Sequence, residues 1–525
     1  MLYFFISGLD VSPVLLLVCL LVVYWASLVI FRLYLSPLSK FPGSKLAAAT
    51  LWYEFYYEVI QRGQFSFKIR EWHEQYGPVV RINPFEIHVD DPDGEFYHVV
   101  FAGTAVRDKH EYYTAQFGTG KTGFGTVSHY LHRVRRRALN PFFQPASILQ
   151  FEPVIRANLA KLCERIDQYR KADLGAMPMR IVYMCLTTDV ITSFALNYSW
   201  NHLDSPDFNP WWWHTTQNTA AMSKWTKQFP WLLPIFKSLP DVIVGTLNPA
   251  LVLVLHMQRK IKNIVEDILE ENRKQDPTEL EAPRTIFHQL LDSDMPPKEK
   301  QLENLWQEGQ NVLGAGADTV ALVLTLTTYY LLENPSKLLK LKNELKAASK
   351  DKDSPLSLVE LQSLPYLTGV VLEGLRLSYG TTTRLTRIAP TEDLKLQDLV
   401  IPAGTPISMS AICMHHNEQI FPDSHSFTPE RWSDQPDGGK ALERYMVSFS
   451  KGSRQCIGMG LAKAEIILTI ATIFTRYDNM ELVDMDFERD VALKHDMFLP
   501  QPSKESRGVR VLFKANGTGT DSGSN

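Results

Sequence analysis

Phe449-Ser450-Lys451-Gly452-Ser453-Arg454-Gln455-Cys456-Ile457-Gly458 decides how the rest of the chain is read. An aromatic residue, a glycine, an arginine, a cysteine and a second glycine at this spacing suit a loop that holds a haem iron by one thiolate. Glycine carries no Cβ, so Gly452 and Gly458 let the backbone pass close beneath a flat macrocycle. Arg454 offers a planar cation to a haem propionate, and Phe449 can cover the sulfur. The apolar run 461–474 begins a helix just after Cys456. Unpaired N–H groups and the positive helix end therefore face the sulfur and moderate its electron donation. A thiolate on haem iron pushes electron density toward the metal and favours O–O cleavage. A lone cysteine beside a glycine turn is usually a buried inert residue. The complete pattern, rather than Cys456 alone, argues for a ligand.

Three further constellations precede that loop. His129, His132, Arg133 and Arg136 recur at i, i+3, i+4 and i+7 on a helix that ends before Pro141, so one face concentrates donors. The plain alternative is a solvated basic face or a nuclear localisation run. Residues 297–333 read as one helix more than about 50 Å long, stopped by Asn334-Pro335. Within it Gly314-Ala315-Gly316-Ala317 lacks bulky side chains, which admits either a large flat ligand or a closely packed neighbouring helix. Asp318 and Thr319 follow at once, a carboxylate and a hydroxyl suited to ordering water and passing protons. Glu373 and Arg376 lie three apart on a helix after Pro365, a spacing that on an exposed surface is worth little.

In this order the motifs resemble the cytochrome P-450 superfamily. The cysteine loop matches its haem-binding loop, Glu373-Gly-Leu-Arg376 its E-x-x-R pair, and Phe427-Thr-Pro-Glu-Arg431-Trp432 the segment whose arginine completes that pair. Ala315-Gly-Ala-Asp318-Thr319 is similar to its oxygen-activating stretch. The resemblance implies a mainly α fold with small β-sheets, a haem b cofactor on Cys456, and a structural lock of Glu373, Arg376 and Arg431. Propionate partners are implied at Phe449-loop Arg454, at Arg387 in preference to Arg384, and at Arg136. His132 stands where the family usually has tryptophan; a histidine N–H can also donate to a carboxylate. Arg135 and Arg137 are expected to point outward, toward an acidic electron donor. Asp318 and Thr319 are implied to be catalytic in a monooxygenase fed from NADPH through NADPH-cytochrome P-450 reductase. A haem-thiolate isomerase or dehydratase would need no proton relay. A haem-binding sensor would show no turnover.

Residues 14–31 are uncharged and nearly all apolar, extended upstream by residues 2–6, about the length of one transmembrane helix. No Lys or Arg precedes Arg32, which argues against a cleaved signal peptide. Arg32, Lys40 and Lys45 follow the span and place the bulk of the chain on the cytosolic side. Microsomal relatives share this plan, so the endoplasmic reticulum is implied. The expected organisation is a membrane anchor at 1–34, a catalytic domain at 35–514 and a disordered Gly/Ser/Thr tail at 515–525.

Composition agrees without deciding. The chain has 525 residues, 45% hydrophobic, with 54 Lys+Arg against 58 Asp+Glu, which speaks against nucleic-acid binding. Five scattered cysteines make neither a disulfide framework nor a zinc site. Residues 61–75 read as a helix, 79–82 and 86–89 as a hairpin, and 399–401 and 509–513 as short strands. Gly118-Thr-Gly120-Lys121-Thr122 lacks the first glycine of a phosphate loop, Ala115 standing in its place. His415-His416 has no third ligand at suitable spacing. The aromatic runs 211–213 and 229–234 fall where relatives carry a lid above the haem, and suit either a membrane interface or the core. Similarity of residues 41–50 and 52–57 to fungal enzymes of secondary metabolism, near the trichodiene-oxygenase group, implies an apolar terpenoid or polyketide substrate.

Overall fold

Proline cannot donate a helical hydrogen bond, so it costs nothing in the first turn, and the first helix of the computed structural model starts at one: Pro13–Ile30, continued by a π-helical turn at Phe31–Leu35. The structure describes residues 12–514 except 248, 275–284 and 350–353. The upstream extension 2–6 and the tail 515–525 lie outside the described residues. No residue of Pro13–Ile30 is buried, whereas two other helices long and apolar enough to span a membrane, Met179–Leu196 and Leu302–Glu333, are largely enclosed by protein. The end of the first helix is tied to the body: Arg32 Nη1 donates to Ala49 O at 2.7 Å and Arg81 Nη1 to Arg32 O at 2.6 Å.

Helices form most of the body. One continuous core runs from Ala138 to Phe513, joining both sides of the expected site without a break between domains. Its axis is helix Leu302–Glu333, which starts later than the sequence suggests because Pro297–Glu299 forms a separate 3₁₀ turn and Gln301 is extended. Helix Met179–Leu196 lies alongside. Gly316 permits the contact, since a Cβ there would come within 2.5 Å of Ile191 Cγ1. The small-residue patch is therefore divided: Gly316 serves helix packing, while Gly314 and Ala315 are exposed and a Cβ on Gly314 would meet no protein atom.

The predicted hairpin is present, with Val79–Arg81 antiparallel to Ile87–Val89. Its second strand pairs in parallel with Pro406–Met409, which pairs antiparallel with Leu385–Ile388 to complete a four-stranded sheet. Residues 61–75 are helical from Phe65 to Tyr76, and Leu399–Ile401 and Arg510–Phe513 are strands.

Two buried charge networks fix these elements. In the first, Arg376 holds Glu373 by Nε to Oε2 (2.9 Å) and Nη2 to Oε1 (2.8 Å), and both side chains are inaccessible to solvent. Arg431 Nε lies 3.5 Å from Glu373 Oε1, and Trp432 Nε1 donates to Oε2 at 2.9 Å. Arg376 also donates to the carbonyls of His415, Ser424 and Ser426. His415 uses Nδ1 on Arg376 O and Nε2 on Val447 N, so it is a hydrogen-bonded core residue.

The second network ties helix Pro210–Gln228 to the floor of the molecule. Lys227 pairs with Glu54 at 2.7 Å and with Glu58, and Lys224 lies 3.8 Å from Glu58 and 3.9 Å from Asp496. Arg384 reaches Glu54 at 2.7 Å, Glu58 at 3.3 Å and Glu86 at 3.0 Å. All seven groups are buried. Burial alone would raise the Glu54 carboxyl, but Arg384 and Lys227 outweigh it and hold it far below the usual range.

Candidate active site

Cys456 sits between a 3₁₀ turn, Gly452–Arg454, and helix Met459–Arg476. The loop is pinned at both ends. Cys456 N donates to Phe449 O at 2.9 Å, and Gly452, at φ 74°, packs so tightly that a Cβ would lie 1.9 Å from Phe101 O. Phe449 is half-buried against the main core. Burial raises the Cys456 thiol pKa, opposed by the Gly458 N–H at the start of the following helix and by Arg136. Yet the residue itself is exposed. Such a side chain is surrounded by protein yet accessible, and Gly314 and Ala315 in the middle of the central helix are exposed as well. Arg136 connects the loop and the central helix electrostatically, being close to both Cys456 and Glu308.

A cluster of cations lies near the loop. Arg387, on strand Leu385–Ile388, is buried and stacks 4.7 Å from the Phe101 ring; burial pulls its pKa down to about 10. Arg454 donates to Thr126 O (2.7 Å) and Val127 O (2.6 Å), while its Nε has no protein partner. Burial and the neighbouring Arg387 lower it to about 9. His132 is buried with Nδ1 unpartnered, and burial followed by Arg454, Lys109, Arg136 and Arg387 pushes it down to about 2. It is a neutral donor there. Among the described residues, no ion pair engages Arg136, Arg387, Arg454 or Lys109, and Asp108, the carboxylate near Arg454, accepts from His129 N at 2.7 Å. Enclosed cations with orphaned donors require an anion. The two carboxylates of a haem answer that requirement, with the thiol of Cys456 available to the iron.

Not every expected residue falls into this cluster. Arg136 meets the ligand loop itself, Nη1 donating to Gln455 O at 2.7 Å. Arg384 belongs to the floor network instead. Arg135 does not point outward: it is buried, with Nε on Glu299 Oε2 at 2.8 Å and Nη1 on Thr126 Oγ1 at 2.7 Å. The reason is that Glu299, in the separate turn before the central helix, supplies a buried counter-charge. Arg133 and Arg137 are the exposed arginines of this helix.

On the central helix, Thr319 Oγ1 donates to Ala315 O at 2.7 Å and keeps its lone pairs free. Asp318 is buried and engaged, Oδ1 accepting from Arg180 Nε at 2.9 Å and Oδ2 from Gln217 Nε2 at 3.2 Å. Neither partner carries a sequence signal of its own. Three half-buried rings cluster against the central helix: Phe498 lies 5.0 Å from Phe117 and 6.2 Å from Phe124, and it packs with Leu322 and Leu326. The aromatic runs are divided. Trp212 is core, bonded to Thr188 Oγ1 at 3.0 Å, whereas Trp231 is 58% exposed beside Phe229, which touches the exposed Trp52.

A helical body that holds an accessible cysteine at the head of a helix, with a cluster of cations that make no ion pair among the described residues, fits a haem-thiolate protein. Comparison with known proteins places it more closely: the Cytochrome P450 family model matches residues 47–504, and the chain belongs to that family. A cytochrome P450 monooxygenase of Ascocoryne sarcoides is 56% identical over 94% of this chain and 97% of its own. A tryptophan 6-hydroxylase of Fusarium equiseti is 40% identical over 96% and 98%. An N-acetyltryptophan 6-hydroxylase of Emericella nidulans is 38% identical over 96% and 97%. The protein is a P450 monooxygenase with a haem iron, and its exposed N-terminal helix fits a single membrane anchor.

Proposed function

We propose that this enzyme inserts one oxygen atom from O2 into a flat, mainly apolar small molecule of secondary metabolism, with electrons from NADPH through a reductase. Haem bound at Cys456 supplies the oxygen-activating iron, made electron-rich by the thiolate. Cys456 Sγ is its ligand, and Arg387, Arg454, Arg136 and the neutral His132 hold its carboxylate edge and loop. Phe449 shields the sulfur. The observation that carries this reading is the accessible Cys456 inside the protein beside unpaired cations.

Thr319 Oγ1, anchored on Ala315 O, can accept a hydrogen bond from water and order it beside the helix. Asp318 takes up a proton when one of its partners, Arg180 or Gln217, moves aside, and passes it to that water. A proton path of this kind is needed for oxygenation and not for the isomerase or dehydratase alternative. The rings of Phe117, Phe124 and Phe498 favour an aromatic substrate, and two relatives are named for hydroxylating tryptophan or its N-acetyl derivative. That supports an aromatic ring over the terpenoid or polyketide expected from sequence.

Residues 1–34 act as the anchor and 35–514 as a catalytic domain on the cytosolic side of the endoplasmic reticulum. Trp52 and Trp231 form a second contact with the bilayer surface. The decisive experiment is Cys456→His. The folded variant should lose the red-shifted Soret band of the ferrous carbon monoxide complex, and retention of the band would remove Cys456 from the iron.

A further inference from the structure

A cavity of about 40 Å³ lies between the central helix, helix Pro210–Gln228, helix Pro249–Lys274 and the short helix Leu232–Ser238, which closes it as a lid. A glycine seats that lid: Gly118 has φ 63°, and a Cβ there would come within 1.8 Å of Leu233 Cδ2. Beside apolar side chains such as Met222 and Val254, the cavity is lined by the amides of Gln116, Gln258 and Gln310 and by the ammonium of Lys237. Among the described residues, no Asp or Glu lines it. Gln116 is 2% exposed, and its Nε2 has no protein partner. Gln258 Nε2 donates to Gln310 Oε1 at 2.9 Å, so Gln310 presents its own Nε2 as a donor. Lys237 Nζ stands 5.5 Å from the centre of the Trp306 ring. Glu303, the one acid that acts on this lysine, is already engaged by Trp306 Nε1 at 2.8 Å and Gln307 Nε2 at 2.7 Å. A buried donor left open is costly until an acceptor arrives. The space has room for about three waters, which suits an end group and not a ring. Donors from separate elements around one ammonium, with no acid in the wall, fit a carboxylate.

Phe117 joins this cavity to the ring cluster, since it lines the one and packs 5.0 Å from Phe498 in the other. Gln310 stands one turn before Gly314 on the same face of the central helix, and about 13 Å along the axis from Thr319. A fused ring with a short side chain covers that span once a hydrogen bond is added at each end. We propose that the substrate is an aromatic acid whose carboxylate enters this cavity, held by Lys237 and the amides of Gln116 and Gln310, while its ring lies among Phe117, Phe124 and Phe498. The inference rests on the aromatic reading above and adds the group that orients the ring.

The probes are indole-3-propionate and its methyl ester, which share a ring and differ in charge, and binding to the holoenzyme is measured by equilibrium dialysis. Wild type should bind the acid about tenfold more tightly than the ester, the worth of one hydrogen bond to a charged group. Lys237→Met should abolish that preference and Lys237→Arg should keep most of it, because a charge is removed and then replaced. Gln116→Leu and Gln310→Leu should each reduce it. Damage to the fold would weaken both probes together, so the ratio of acid to ester stays readable in every variant. Equal binding of the two probes by wild type, binding of neither, or a preference that survives in Lys237→Met would overturn the proposal. Absence of the thiolate form of the carbon monoxide spectrum in wild type would overturn the haem reading itself, a separate result that the dialysis ratio does not depend on.

Discussion

Asp318 is held by two groups from different elements, Arg180 at the start of helix Met179–Leu196 and Gln217 on helix Pro210–Gln228. Replacing it by Asn keeps the shape and most of the bonding but removes the ability to carry a proton. Turnover should fall by about a hundredfold, the range general acid–base groups contribute, while the carbon monoxide spectrum stays normal. Thr319→Ala should instead preserve NADPH consumption and divert electrons to hydrogen peroxide. Measuring product, peroxide and NADPH together separates the two, and unchanged coupling in Thr319→Ala would place proton delivery elsewhere. The sequence announces Thr319 and Asp318 because they sit beside a patch of small residues in a long apolar helix. It cannot announce Arg180, a lone basic residue whose partner Asp318 lies 138 positions away. Arg135 turns inward for a related reason. Helical periodicity gives the direction of a side chain on its own helix, and says nothing of the Glu299 that meets it there.

Elements are legible where one local pattern dominates. Proline and glycine mark the ends of the hairpin and of helix Phe65–Tyr76, and the apolar runs mark the buried helices. The start of the central helix is not legible because the propensity of 297–301 is compatible with a helix, and the extended Gln301 is a tertiary outcome. The pairing of that helix with Met179–Leu196 is likewise invisible until Gly316 is placed against Ile191. Gly316→Ala should therefore destabilise the protein despite its better helix propensity: overpacking costs about 1–3 kcal/mol against a gain of about 1. Thermal unfolding of the holoenzyme is the measurement. Gly316→Ala should cost less in an Ile191→Ala background than in wild type, a double-mutant cycle, and an unchanged midpoint in Gly316→Ala alone would mean the two helices separate freely.

Across the whole molecule, the buried network of Glu54, Glu58, Glu86, Asp496, Lys224, Lys227 and Arg384 joins helix Pro210–Gln228, whose Gln217 meets Asp318, to the floor of the molecule. Its carboxyls at Glu54, Glu86 and Asp496 are held below their free values, because nearby cations outweigh burial. Groups of that kind contribute fully above the unfolded pKa of about 4, and the contribution is lost only as pH falls through the lower folded value. Lys227 is shifted the other way: burial would lower it, but Glu54 and Glu58 raise it. Its share is complete below about 10 and fades only above that. Substrate binding rates should accordingly be flat between about pH 5 and 9. Lys227→Met leaves buried carboxylates short of a counter-charge, costs about 3–5 kcal/mol, and should speed substrate binding while lowering thermal stability. Slower binding in that variant would contradict a holding role. Since these charges are out of reach of solvent, dissolved salt should scarcely weaken them. Parting them requires water to flow in around each ion before the helix can lift. Opening is then a wetting event, slowed by osmolytes that draw water from protein surfaces, and the access rate of wild type should fall with osmotic pressure more steeply than that of Lys227→Met.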